Sequence, residues 1–295
     1  MSDVGLKILD WGCRIADVGF KNNSIFLTLA LSPNHTLPHP LPPSLAHPLS
    51  PSLPRPLAPT PLKPNPKNLT PKYMTLIDNS IQQIRNDLVQ MWILVINQME
   101  KARLALINGD KNLAREVRMN EKRVDAFELK LDMDSENVLM LKNPVAVDLR
   151  FILSVLKINY NLERIGDYAN AIAKVAEHLS GPMPEDILQA THLPDMFFTA
   201  QTMLQESLNA FEKSDRIHVN VLFGMDEKLD KPNNNANKII CQLIKDKPAD
   251  TMIILEALSI IRKLERTGDH ILNVAEELIF YFDAIVVKHS KLQNK

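Results

Sequence analysis

Two stretches of this chain repeat each other at a fixed separation of 102 residues, and charged residues recur along with apolar ones. Ile152, Leu153, Leu156, Ile158, Leu162, Glu163, Arg164, Gly166, Asp167 and Ala173 return as Ile254, Leu255, Leu258, Ile260, Leu264, Glu265, Arg266, Gly268, Asp269 and Ala275. A chain with this property has to build the same supersecondary unit twice. In both copies the apolar positions step by three and four, so the unit is helical.

The same period runs through the flanking sequence. Ile77, Ile81, Ile84, Leu88, Trp92, Val95, Met99 and Leu106 predict a long first helix that Asn108-Gly109 stops. Asp110 is placed to cap a second helix from Lys111 to about Leu141, and Asn143-Pro144 separates it from a third, from about Val145 to Leu179. Gly181, Pro182, Pro184 and Pro194 mark the longest linker. Asp195 is expected to cap a fourth helix to about Lys213, a fifth runs from about Arg216 to Ile244, and Pro248 precedes a sixth from Asp250 to about Val287. No stretch alternates with period two for long enough to propose a sheet. The expected fold is all-α: two pseudo-twofold-related three-helix bundles, residues 74–181 and 182–295.

Residues 1–73 are a different polymer. Fourteen of the 20 prolines lie between Pro33 and Pro71, where missing donors and fixed φ prevent helix or sheet from propagating. We expect a disordered, Pro-rich tail, with Met74 as the natural start because it opens the first periodic segment directly. This tail holds 7 of the 34 basic and 3 of the 35 acidic residues, leaving 27 and 32 for the remainder. The mildly acidic body offers no broad basic surface for nucleic acid. The apolar run Ser24 to Leu31 is too short to span a bilayer, and direct membrane insertion is not expected. Cys13 and Cys241 are too few for a disulfide framework, which makes a reducing cytoplasm the default.

The charged members of the repeat carry the functional signal. With Glu163 at zero on a helical wheel, Ile152, Leu156, Asn159, Asp167 and Asn170 fall within about 40° of it, so the acidic pair continues an apolar stripe. In the second copy Ile254, Leu258, Ile261, Asp269, Leu272 and Glu276 flank Glu265 in the same way. Two carboxylates one turn apart on an inward face repel each other and resist desolvation unless a cation is near. The second helix offers Glu121, Asp125, Glu128 and Asp132 on one edge beside Val117 and Val124, and the fifth offers Asp226 and Asp230. Such oxygen sets suit Mg, Mn, Fe or Zn. A ferritin-like di-iron centre is disfavoured because no Glu has His three positions later. The alternative is that Arg164, Arg266, Arg150 and Lys157 neutralise the acids as ordinary ion pairs. No phosphate-binding glycine loop, nucleophile elbow or acid and base pair is visible, so no enzyme activity is expected.

The strings LERIGDYANAIAK from Leu162, LERTGDHILNVAEE from Leu264, and Pro-x-x-x-Asp-Leu-Arg from Pro144 to Arg150 resemble the PhoU family of bacterial phosphate-uptake regulators. The resemblance covers essentially all of residues 74–295. It implies a cytoplasmic negative regulator of phosphate uptake and starvation signalling, held at the inner membrane by its partners. Those partners would be a phosphate ABC transporter ATPase, a membrane sensor histidine kinase and a second copy in a homodimer. It also implies carboxylate-bound metal at Glu121, Asp125, Glu163 and Asp167 in the first bundle and Asp226, Asp230, Glu265 and Asp269 in the second. Two departures stand out. The Asn that follows the last motif Asp by four positions is present as Asn273, but the first copy has Ala171 there and Asn170 one residue early. Pro232 interrupts the predicted fifth helix just after Asp230, so the first bundle, with four aligned acids, is the favoured metal site. The other classes open to such a chain are a metal-independent helical interaction protein and a metal-storage or redox bundle.

Overall fold

Apolar residues at helical spacing can be buried only if other helices cover them, and the chain meets that demand by folding back on itself repeatedly. The computed structural model describes residues 71–287, with side chains from Ile77. Helices α1 (Pro71–Asn108), α2 (Lys111–Lys142) and α3 (Val147–His178) pack on one another as the first bundle. After a short α4 (Glu185–Ala190), the second bundle consists of α5 (Leu193–Lys213), α6 (Arg216–Met225), α7 (Glu227–Asp246) and α8 (Thr251–Asp283). No strand occurs among the described residues.

Several helix ends follow the local chemistry read above. Asp110 caps α2, its Oδ1 accepting from Asn112 N at 2.9 Å and Leu113 N at 3.2 Å. Gly109 is needed just before it: its φ is +67°, and a Cβ there would lie 2.7 Å from Pro182 N. Other ends differ from expectation. The expected tail lies outside the described residues except for Pro71 to Tyr73, which open α1, where a proline's missing donor leaves no bond unmade. The linker from Gly181 contains α4, whose Ile187 and Leu188 are buried. α5 begins at Leu193, so Asp195 adds charge to its first turn instead of capping it. The predicted fifth helix is two helices that meet at Asp226, with Pro232 inside the second. A proline ring crowds the carbonyl four residues back, which favours a break in the turns before it. The last helix ends at Asp283, short of Val287.

The buried side chains form one continuous core through both bundles. Trp92 of α1 stacks at 5.6 Å on Phe211 of α5. Arg85 fastens the same region: its guanidinium lies 4.8 Å from the Phe211 ring and 5.1 Å from that of Phe151, and Nη2 donates to Tyr281 Oη at 2.6 Å. The bundles meet mainly along α3 and α8. Phe151 packs on Tyr281, Ser154 donates to Glu277 O, and Asn273 Nδ2 donates to Asn161 Oδ1, so residue numbers rise on one helix as they fall on the other. The two repeat helices therefore run antiparallel. Near their midpoint Tyr168 Oη lies 3.3 Å from His270 Nε2, and these two residues are 102 apart, equivalent positions of the repeat. A residue that touches its own equivalent lies at a pseudo-twofold axis.

Candidate functional site

In each bundle the acids gather where a repeat glycine lets two helices cross closely. At Gly166 of α3 a Cβ would come within 3.3 Å of both Val124 Cγ1 of α2 and Gln98 Oε1 of α1. Glu163 lies about one turn before it and Asp167 directly after it, facing acids of α2. Burial raises the Glu163 carboxyl to about 7; Asp167 and Glu128 add to the rise and Arg164 opposes it. Glu128 is itself raised, by burial first and then by Asp132 and Asp125. Arg164 serves as counter-ion, with Nε 3.2 Å from Glu163 Oε2 and Nη1 donating to Asp167 Oδ2 at 3.1 Å. The contact to Glu163 is close but poorly aligned, so Oε2 remains buried without a hydrogen-bond donor.

Two asparagines extend this seam along the inward face of α3. Asn159 Nδ2 donates to Glu128 O and Asp132 Oδ1, both at 3.0 Å, and Asn170 Nδ2 donates to Glu121 Oε1. Both leave Oδ1 buried with no donor, as does Gln98 with Oε1. Together with Glu163 Oε2 they make a row of acceptors on the side of the helix that meets α1 and α2. Buried acceptors are rarely left this way. Of the four residues proposed for this bundle, Glu163 and Asp167 share Arg164, Asp125 acts on Glu128, and Glu121 is engaged by Asn170. Glu128, which the wheel sets on one edge of α2 with Glu121, Asp125 and Asp132, is the α2 acid whose charge raises Glu163.

The second seam repeats the crossing, with Arg266 in the place of Arg164 but in no ion pair among the described residues. A Cβ on Gly268 of α8 would fall 2.6 Å from Leu229 Cδ1 and 3.5 Å from Asp226 Oδ1. The break at Asp226 places Asp226 beside the start of α7 and Asp230 in its first turn. Burial raises Asp226 to about 6, and Asp230 and Asp269 contribute. Glu265 and Asp269 are raised too, chiefly by burial and then by neighbouring acids, while Arg266 opposes. Among the described residues no cation forms an ion pair with any of the four. Asn273, expected beside this seam, donates instead to Asn161 across the bundle interface.

Two of the cations weighed as neutralisers act elsewhere. Lys157 Nζ binds Glu277 of α8 at 2.8 Å, and Arg150 Nε is buried without a hydrogen-bond partner. Among the described residues Arg164 alone forms ion pairs with the seam acids, while Arg266 opposes the rise of Glu265 and Asp269 without pairing. Among the described residues no three His, Cys, Asp or Glu side chains converge as a ready ligand sphere. The seams have the all-oxygen chemistry of a hard-cation site, in an arrangement that would have to close around an ion.

The duplicated crossing corresponds to a known module. The PhoU domain model matches residues 88–176 and again 193–278, each match spanning one bundle. The chain belongs to the PhoU family. The phosphate-specific transport system accessory protein PhoU homolog of Pseudomonas putida is 29% identical over 232 residues, covering 78% of this chain and 90% of that protein. The homolog of the same name from Pseudomonas aeruginosa is 30% identical over 227 residues, 76% of this chain and 93% of that one. The crystal structure of PhoU from Pseudomonas aeruginosa superposes with a TM-score of 0.66 at 30% identity, over 70% of this chain and 99% of that one. That of the phosphate transport system regulatory protein PhoU from Streptococcus pneumoniae gives 0.64 at 26% identity, over 72% and 99%. The PhoU repeat of this chain thus carries its acids at two glycine crossings. The glycines belong to the repeated string in the sequence; which acid each crossing brings forward depends on tertiary approach.

Proposed function

We propose that this chain is an accessory regulator of phosphate-specific transport that restrains phosphate uptake and the phosphate-starvation response. It acts without catalysis, as an adaptor between a phosphate ABC transporter ATPase and a membrane sensor histidine kinase. It works in the cytoplasm as a homodimer held at the inner membrane by those partners. The observation that carries the reading is the presence of two PhoU domains in tandem, together with the accessory-protein names of the Pseudomonas relatives. Among the described residues no helix is long and apolar enough to cross a membrane, in keeping with attachment through partners. Deleting the gene should raise a phosphate-starvation reporter in phosphate-rich medium, and restoring it should bring the reporter down. A reporter indifferent to a clean deletion would remove the regulatory reading.

A divalent cation, Mg, Mn, Fe or Zn, belongs to the same proposal as a structural or tuning element. Glu163 Oε2, buried without a hydrogen-bond donor, and the acids of the second seam, in no ion pair among the described residues, favour it. Glu163, Asp167, Asp125 and Glu121 would hold it in the first seam, and Asp226, Asp230, Glu265 and Asp269 in the second, where it would cancel their mutual repulsion. Chelator-stripped protein should melt higher with at least one of these ions, and Glu163→Gln with Asp167→Asn, or Asp226→Asn with Asp269→Asn, should abolish the seam's share of that rise. A melting point indifferent to every ion tested leaves a metal-independent interaction protein. Oxygen consumption on adding Fe(II) would instead favour a redox bundle.

A further inference from the structure

The two bundles differ in a respect that their shared motif conceals. The PhoU match begins at Leu88 in the first half and at Leu193 in the second. α5 starts at Leu193 itself, whereas α1 starts 17 residues ahead of Leu88, at Pro71. Those extra turns are used. Ile77 and Ile84 are buried, Asp87 binds Lys130, and Lys142 donates to Ser80, so the extension lies antiparallel along the C-terminal half of α2.

The matching half of α7 has no such helix along it; at its end Asp186 of α4 binds Lys247. Taking the 105-residue offset between the two match starts, Lys130 and Lys142 of α2 correspond to Asn235 and Lys247. Between Asn235 and Asp246, α7 borders an open groove of about 1110 Å³ whose opposite wall is α5. α5 and α7 touch each other, α7 rests on α8 and α4 packs on α5 and α8, and the groove between α5 and α7 stays open among the described residues. Its apolar surface comes from Ile239, Leu243 and Phe198, the last 71% exposed. Lys228 and Lys238 border it with no ion-pair partner among the described residues, while Lys231 is held by Glu227 at 3.0 Å. Asp195 and Asp246 also reach the groove, Asp246 already accepting from Gln242.

We propose that the groove between α5 and α7 docks an amphipathic helix of a partner protein, apolar on one face and acidic along the edge that meets α7. It would lie antiparallel to α7, as the α1 extension lies on α2. The first bundle displays the complementarity in miniature: there the added helix brings an acid, Asp87, to a lysine on the second helix, Lys130. In the second bundle the position of Lys130 is Asn235, the unpaired lysines bordering the groove are Lys228 and Lys238, and no such helix is supplied by the described part of the chain. Helices recognised in grooves read this way, by an apolar stripe with flanking charges. The inference holds whether or not the chain regulates phosphate transport.

The test is a fluorescence-anisotropy titration of the full chain with two synthetic helical peptides of about 18 residues, identical on the apolar face, one edged with Glu and one with Lys. The Glu peptide should bind at least about tenfold tighter than the Lys peptide and weaken as salt is added. Phe198→Ser, and separately Lys228→Glu with Lys238→Glu, should each weaken it at least about tenfold. All three side chains are exposed, so the melting temperature of each variant should match the parent. Absence of binding overturns the proposal, as does equal binding of the two peptides or binding that neither variant disturbs. Sedimentation of the parent and Phe198→Ser closes the remaining alternative: a dimer that dissociates on this substitution would make the occupant a second copy of the chain and overturn the partner assignment.

Discussion

Replacing Glu163 by Gln should make the metal-free protein more stable at alkaline pH, the reverse of what removing half of an ion pair usually does. The carboxyl is raised from 4.5 to about 7, mainly by burial. The folded state therefore holds this proton more tightly than the unfolded state. Stability is greatest with the proton bound, falls as pH rises from about 4.5 to about 7, and does not fall further above that range. At about 1.4 kcal/mol per factor of ten, the displacement sets an upper bound of about 3 kcal/mol. Solvent screening of a side chain that keeps 13% exposure, with Arg164 beside it, reduces this to about 1–2 kcal/mol. Gln mimics the protonated form and leaves Arg164 its bond to Asp167 at 3.1 Å. For a folded body of this size the gain corresponds to about 3–6 °C in melting temperature. Chelator-treated parent and variant should be melted near pH 8 and near pH 4.5. The variant should lead at the higher pH and converge with the parent at the lower. A variant that melts lower near pH 8 would mean that Arg164 compensates the charge in full and that the burial argument is wrong.

The second seam should behave likewise: Asp226→Asn should stabilise the metal-free protein at pH values above about 6, where burial and Asp230 penalise the charge, and not near pH 4. Gly268→Ala should cost about 1–3 kcal/mol, because its Cβ would sit 2.6 Å from Leu229 Cδ1, while Gly166→Ala, with nearest contacts at 3.3 Å, should cost less; denaturant midpoints rank the two. Asp110→Ala should lose about 1 kcal/mol through the cap of α2, whereas Asp195→Ala, which caps nothing, should stay within about 0.5 kcal/mol; equal losses would contradict the assigned helix start.

Much of this architecture was legible because it is periodic. Three- and four-residue steps announce helices, and a spacing of 102 residues announces two copies of one unit. The wheel also placed Asn159 and Asn170 on the inward face with Glu163, where both are buried. The misses are tertiary. Lys157 was a plausible neighbour for the acids of its own helix, yet it reaches Glu277, 120 residues away, because α8 passes there. Glu128 was on the acidic edge read for α2, and its influence on Glu163 follows from the close approach of the helices at Gly166. α4 is only 6 residues long and lies among glycine and prolines, too short for a period to register. The division at Asp226 is flanked by two local signals, Gly224 two residues upstream and Pro232 six downstream, neither of which was read as ending a helix.

The meeting of Tyr168 with His270 bears on how a duplicated chain departs from its own symmetry. If two identical subunits were arranged about the same axis, whatever residue stood there would face a copy of itself. A tyrosine would meet a tyrosine and a histidine a histidine, so any substitution would change both sides of the contact at once. Joining the halves in one polypeptide lifts that constraint, and here the axis holds two different rings. His270 uses the freedom in two directions, contacting Tyr168 through Nε2 and Asn161 through Nδ1 at 2.8 Å. The equivalent of Asn161 in the other half is Lys263, which turns to Ser259 in its own helix. The polar contacts around the axis are thus one-sided, and a partner approaching along it would meet two distinguishable halves of an otherwise repeated body.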